Sequence, residues 1–437
     1  MTLPHSIAGA LATDLQLWPD FLVLCDCGGR LAGTPSEAAA LAFLRTAGTS
    51  ATGSDAVAVP TSYAGWTAQE ASLTLLDGDR RIPLACLPLI RSASGSVTAE
   101  VVDLGRGTGE EFAQAGAALA GRIALVRHEY MFASGHLHRR AKYTAALRAG
   151  ASGFLIAGPL PTGVVAGSSG RGDEPGIPAL GISPEAAARL SPPVGRASAA
   201  LHVRATEHAA ATETLLFDLP GVGPGRVVLS AHLDGHAPGE SALDNATGVA
   251  AALAVARALA PHVAACRRGL LLTFFSAEEW ALTGSRVWLD GLSAAEHAAM
   301  ALNVNLDSVA GSSRLTALTS EFPALPGFVR QAVAASGGAV GIHPVLMNNS
   351  DHANFAAKGI PALRLVAGFD APESNLSHVL TAADTRDKAA PAELHAAAHV
   401  AAAITWAALN ADDAQLAALR KRNSEAPSVS GRSPPFP

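Results

Sequence analysis

The chain has 437 residues, more than the ~250 that a single hydrophobic core usually serves, so two domains are expected. Its 31 Lys+Arg against 37 Asp+Glu give a net charge of −6, with lysine only at Lys142, Lys358, Lys388 and Lys421, and no basic cluster, which argues against a nucleic-acid partner. With 49% hydrophobic residues and 16% charged, the chain has the apolar mass for a large core, and extensive disorder is excluded.

The start, MTLPHSIAGALATDLQLWP, lacks the basic region and long apolar stretch of a secretory signal, which predicts a cytoplasmic location. Arg257 and His399 interrupt the longest apolar stretches before they reach the ~18 residues of a membrane span, so no membrane contact is expected. Cys25, Cys27, Cys86 and Cys266 have no disulfide density and no zinc-ribbon spacing, and read as buried or spectator thiols. Nothing in the sequence sets an oligomeric state.

The first predicted element is a helix at 35–47, PSEAAALAFLRTA, started by a Pro and a Ser. Residues 50–105 alternate apolar and polar with Gly-Asp and Gly-Arg turns and read as β-rich. From 121 a strand, GRIALVR, a helix at 138–151 and a strand, SGFLIAG, form a small α/β unit. A Gly/Ser/Pro-rich loop at 167–176 precedes the strand IPALGIS (177–183) and a helix start at Ser183-Pro184-Glu185. Beyond 212 the strands VVLSAH (227–232), LLLTFFS (270–276), ALNVNL (301–306) and PALRLV (361–366) alternate with helical runs such as 246–260. Nearly continuous apolar strands of this kind predict an α/β fold, a mostly parallel mixed sheet with helices on both faces. The Pro/Ser/Gly-rich end, 422–437, reads as a disordered tail.

Ligands bind at the carboxyl ends of strands in such sheets, and there this chain repeatedly places acids and histidines. They are His232 and Asp234 after one strand, Glu278 and Glu279 after the next, and Asp307 after the third, with Asp244 just before a helix. Each alone has a bland explanation, such as a helix cap for Asp244 or an exposed turn for the glutamates. Together they crowd carboxylates into one crevice, where mutual repulsion is relieved by a divalent cation. Nitrogen and oxygen donors without thiolate suit zinc, with cobalt or manganese as alternatives.

At every one of these motifs the chain resembles the M28 metallopeptidases, the two-zinc aminopeptidase and carboxypeptidase group. The matching segments are AHLDGH (231–236), DNATG (244–248), AEE (277–279), NLD (305–307), SDHANFAAKGIPAL (350–363) and HVLTAADTRDK (378–388), with GGRLAGTPSEAAA (28–40) near the start. The resemblance implies that His232 and Asp307 bind one zinc, Glu279 and His378 the other, and Asp244 both. Three carboxylates and a bridging hydroxide would then balance two divalent ions. Glu278 is left free as general base and acid, and Asp234, two residues after His232, is placed to accept the His232 ring N–H. The group's tyrosine before the terminal His is replaced by Ser377, so its oxyanion contact must come from elsewhere. Asp351 and His352 match the group's pattern without an assigned role, and read as a helix cap and a structural histidine.

Residues 85–205 resemble the protease-associated (PA) domain, inserted into a peptidase domain made of 1–84 and 206–421. The implied activity is hydrolysis of the N-terminal peptide bond of short peptides. A carboxypeptidase or dipeptidase, reading a substrate carboxylate through a free arginine such as Arg364, is one alternative; a non-catalytic binding scaffold is the other.

Overall fold

The computed structural model describes residues 2–159 and 163–421; the tail expected at 422–437 lies outside them. The described chain divides into two compact units, one comprising residues 2–63, Ala211–Val379 and 384–421, the other Ala64–Ala210 with Leu380–Ala383. The boundary falls near Tyr63 rather than at 84/85 because an unbroken strand, Val57–Asp77, carries the chain out of the first unit with no linker. The return is likewise a single strand of 22 residues, Ser198–Leu219 (β1).

In the first unit β1 is followed by β2 (Arg226–His232), β3 (Gly269–Phe275), β4 (Met300–Leu306), β5 (Leu315–Leu318), β6 (Gly341–His343) and β7 (Ala362–Ala367). Their order is β6-β5-β7-β4-β2-β3-β1. The β2–β3, β2–β4, β4–β7 and β5–β6 pairs are parallel, whereas β5–β7 and β1–β3 are antiparallel. This is the mostly parallel mixed sheet expected. The three central strands are buried along nearly their whole length because both faces are covered, as a parallel sheet requires.

Successive side chains of β3 show the two faces. Phe274 meets Phe217 at 6.3 Å, and Phe217 in turn lies against Gly48 of the helix Pro35–Thr52. Phe275 points the other way, to Trp288 at 5.7 Å and Phe355 at 6.1 Å, on the helices Thr283–Asp290 and His352–Ala357. Helix Pro35–Thr52 runs five residues past the sequence expectation, since nothing in Gly-Thr-Ser-Ala-Thr stops it before Gly53 adopts left-handed φ. The helical stretch Ala242–Val263, whose charged residues are Asp244 and Arg257, is long and apolar enough to cross a membrane. That 78% of its apolar window is buried inside the fold shows where the apolar face goes.

The second unit is a smaller α/β body. Gly95–Asp103, Ile123–Arg127, Gly153–Ala157 and Ala179–Ile182 pair in parallel in that order, and Cys86–Pro88 closes the edge antiparallel. Helices Arg139–Arg148 and Pro184–Leu190 follow the sequence expectation, the second capped by Ser183. Cys25, Cys27, Cys86 and Cys266 are all free thiols.

Candidate metal centre

The registers Phe275↔His232 and Asn305↔Ser230 bring the carboxyl ends of β2, β3 and β4 to one edge of the sheet. There the apolar strands stop at His232, at Ser276-Ala277-Glu278-Glu279 and at Asp307. The fourth contributor, Asp244, sits in the irregular turn Ala242–Ala246, whose Asp244–Asn245 peptide is cis. Asn245 ties this turn to β4: its side chain donates to Leu306 O (2.9 Å) and accepts from the backbone N–H of Gly248 (3.0 Å) and Ser308 (3.1 Å). Asp384 holds the turn from outside, accepting the N–H of Leu243 (2.7 Å) and Asp244 (3.3 Å).

The result is a buried trio. His232 Nε2 lies 3.1 Å from Asp244 Oδ1 and 3.6 Å from Asp307 Oδ1, and one ligand atom from each of the three falls within 4.8 Å of the others. The His232 Nδ1 donates to the Asp234 carbonyl at 2.9 Å, which leaves Nε2 to face two carboxylate oxygens. Positive charge is called for between these groups, as a proton on Nε2 or as a bound cation, and this donor set fits zinc. The electrostatics agree. Burial lowers the His232 pKa, but Glu278, Asp244 and Asp307 outweigh it and hold the ring well above its ordinary value. Burial, reinforced by Asp307 and Glu279, raises the Asp244 carboxyl. Asp307 goes the other way: burial is outweighed by Arg364 and His232, and its pKa is lowered.

Glu278 and Glu279 are each only 6% exposed. Burial lifts the Glu278 carboxyl well above its usual range, and Glu279, Asp351 and Asp307 add to it against the pull of His232. Glu279 meets His236, with Nε2 to Oε2 at 2.7 Å. His378 lies outside the trio, half-buried on the short turn Asn375–His378, with its pKa lowered by burial and by Lys388.

Three expectations are corrected. The Asp234 carboxylate does not take the His232 ring N–H, which goes to the Asp234 backbone oxygen; the nearest carboxylate contact is 4.0 Å. Instead it accepts the backbone N–H of Glu278 (3.0 Å) and Glu279 (3.1 Å), because the chain leaves β2 toward the end of β3. Arg364 is no free guanidinium for a substrate carboxylate. It is 2% exposed and pairs with Asp307 at 3.0 Å, a consequence of β7 lying beside β4. Asp351 precedes the helix His352–Ala357 without capping it, and its carboxylate accepts from Ser285 instead. Burial raises Asp351 to about 6 and lowers His352 to about 3. The Ser377 hydroxyl donates to Ser374 O at 2.9 Å.

Sequence reasoning missed Arg30. Its guanidinium is fully buried and donates to the carbonyls of Leu24, Gly28, Leu233, Glu240 and Ser241, bracing the loop between His232 and Asp244. The only sequence signal was its place in the GGRLAG segment.

An α/β sheet with a buried imidazole among carboxylates at the ends of parallel strands is an arrangement that can hold a divalent cation. Comparison with known proteins adds to this: residues 215–405 match Peptidase family M28 and residues 97–190 match the PA domain. Leupeptin-inactivating enzyme 1 of Streptomyces exfoliatus is 30% identical over 166 residues, 38% of each chain. The probable lipoprotein aminopeptidase LpqL of Mycobacterium tuberculosis is 26% identical over 251 residues, 53% of this chain and 49% of that one. The matches thus span half or less of these curated relatives. The zinc aminopeptidase BSAP of Bacillus subtilis shares the fold, with a TM-score of 0.70 at 22% identity over 94% of this chain and 97% of that one. The cytoplasmic location expected from the sequence gains no support from these relatives, one of which is described as a lipoprotein.

Proposed function

We propose that the protein is a metal-dependent exopeptidase that removes the N-terminal residue of short peptides. The observation that carries this reading is the His232, Asp244 and Asp307 trio with Glu278 and Glu279 beside it, in a domain that matches the M28 peptidases. In this reading His232 and Asp307 hold one divalent cation, Glu279 and His378 a second, and Asp244 is shared. Such cations, when bound, polarise a carbonyl and lower the pKa of water.

The chain's own residues supply the rest. Glu278, buried and raised in pKa, takes the proton of the attacking water and returns it to the leaving amine. Asp234 fixes the backbone of both glutamates, so that adjacent side chains take separate tasks. The carboxypeptidase alternative loses its feature, since Arg364 is committed to Asp307. The remaining surplus of acid around the site suits a substrate α-amine instead.

Metal analysis of purified protein and assay on aminoacyl anilides, with and without chelator, test the reading. Glu278→Gln is expected to retain the metal and lose turnover by ~10²- to 10⁴-fold, the usual worth of a positioned acid–base. Metal-free protein with full activity, or an unimpaired Glu278→Gln, refutes it.

A further inference from the structure

We propose that His236 is a metal ligand, joining Glu279 at the second cation. This rests on the two-cation reading above and adds a residue to it. His236 is 3% exposed, and its Nε2 is buried and has no hydrogen-bond partner. Yet the same atom lies 2.7 Å from Glu279 Oε2. The two atoms form an ion pair when the ring is protonated, and as two ligands of one ion they keep the same neighbourhood with the metal in place of the proton. His232 Nε2 and Asp244 Oδ1, at 3.1 Å, show a similar juxtaposition within the trio. Coordination would supply the partner that this buried imidazole nitrogen lacks.

The placement of His236 is built, not incidental. Its backbone N–H donates to Ser241 Oγ at 3.0 Å, and the preceding Gly235 N–H donates to Arg30 O at 3.2 Å. The His236 carbonyl is packed so closely on Gly29 that a Cβ there would lie 1.9 Å from the oxygen. Residues Gly29 and Arg30 thus hold the loop from one side. From the other, Asp234, two residues before His236, binds the Glu279 N–H at 3.1 Å, so imidazole and carboxylate are fixed through one short stretch of chain. A ligand held this way meets the geometric demand of a metal site before the metal arrives.

The test uses the full chain, stripped of metal and titrated with zinc against a competing chelator, in wild type, His236→Ala and the more conservative His236→Asn. Circular dichroism confirms that each variant is folded. Wild type is expected to take up two zinc ions. In both variants one is expected to bind as before and the other to weaken by more than ~100-fold, beyond the range that losing an outer partner of a ligand produces. NMR of cadmium-loaded protein labelled at histidine is expected to show a nitrogen–cadmium coupling at His236 Nε2 in wild type. Folded His236→Asn with two zinc ions at wild-type affinity, or wild type without that coupling, overturns the inference alone. Wild type that takes up no zinc overturns the peptidase reading as well.

Discussion

Asp234 shows how a single side chain can set the geometry of a site it does not enter. Both of its carboxylate oxygens are used, one on the Glu278 N–H and one on the Glu279 N–H, and its backbone oxygen orients His232. Asp234→Asn keeps the shape but turns one acceptor into a donor facing an N–H. The variant is expected to lose about 1–3 kcal/mol of stability and, through misplaced glutamates, ~10- to 100-fold in kcat. Urea unfolding and steady-state kinetics measure the two effects, and a variant unchanged in both contradicts the clamp. At this scale the sequence was legible as to residue type and place but not as to partner. That Asp234 belongs to the site follows from the end of β2; that it bonds two backbone amides across on β3 depends on the loop's path. Arg364 is the same case, since its neighbour Asp307 is 57 positions away and only the β4–β7 pairing brings them together.

Elements with a long apolar period or continuous burial were readable, whereas short or exposed ones were not. β5 and β6 have four and three residues, too few for alternation to register, and they are what makes the far edge of the sheet mixed. β1 was missed as one strand because its middle, exposed on alternate and successive residues, carries no core pattern. In the second unit the strand Ile123–Arg127 was legible, but not the ionic knot after it. There Glu129 accepts from Lys142 Nζ at 2.7 Å and from Arg106 at 2.8 Å, with Lys142 wholly buried. Burial acts to raise the Glu129 pKa, but the bonds from Arg106 and Lys142 outweigh it and hold it down at about 2. A depressed carboxyl stabilises the fold above its unfolded value of ~4.3 and loses that contribution as pH falls from there toward the folded value. Amide exchange in Ile123–Arg127 and Gly153–Ala157, corrected for intrinsic rates, is therefore expected to speed up across this acid window. Glu129→Gln should flatten that dependence; a window that persists in the variant assigns it to another group.

On the scale of the whole molecule, the centre gathers side chains from three strand ends and a turn, and three of these four segments are parts of the same buried sheet. In the proposed reading, cations bound there become part of the fold's stability. Asp244, Glu278, Glu279 and Asp307 are all at most 6% exposed, and Arg364 is the cation paired with Asp307. Without divalent ions the acids must share protons or repel, as the raised pKa values of Asp244 and Glu278 indicate. A ligand that binds only the native state at ~1,000 times its Kd adds ~4 kcal/mol, and at ~2 °C per kcal/mol for a large domain this corresponds to ~8 °C in Tm. Calorimetry of zinc-loaded and chelated protein at pH 7 is expected to show a separation of that order. The separation should shrink toward acid pH, where protonation replaces the metal as the means of neutralising the carboxylates. An identical Tm with and without chelator would mean that the four acids are neutralised by protons alone, and would remove the physical reason for placing cations among them.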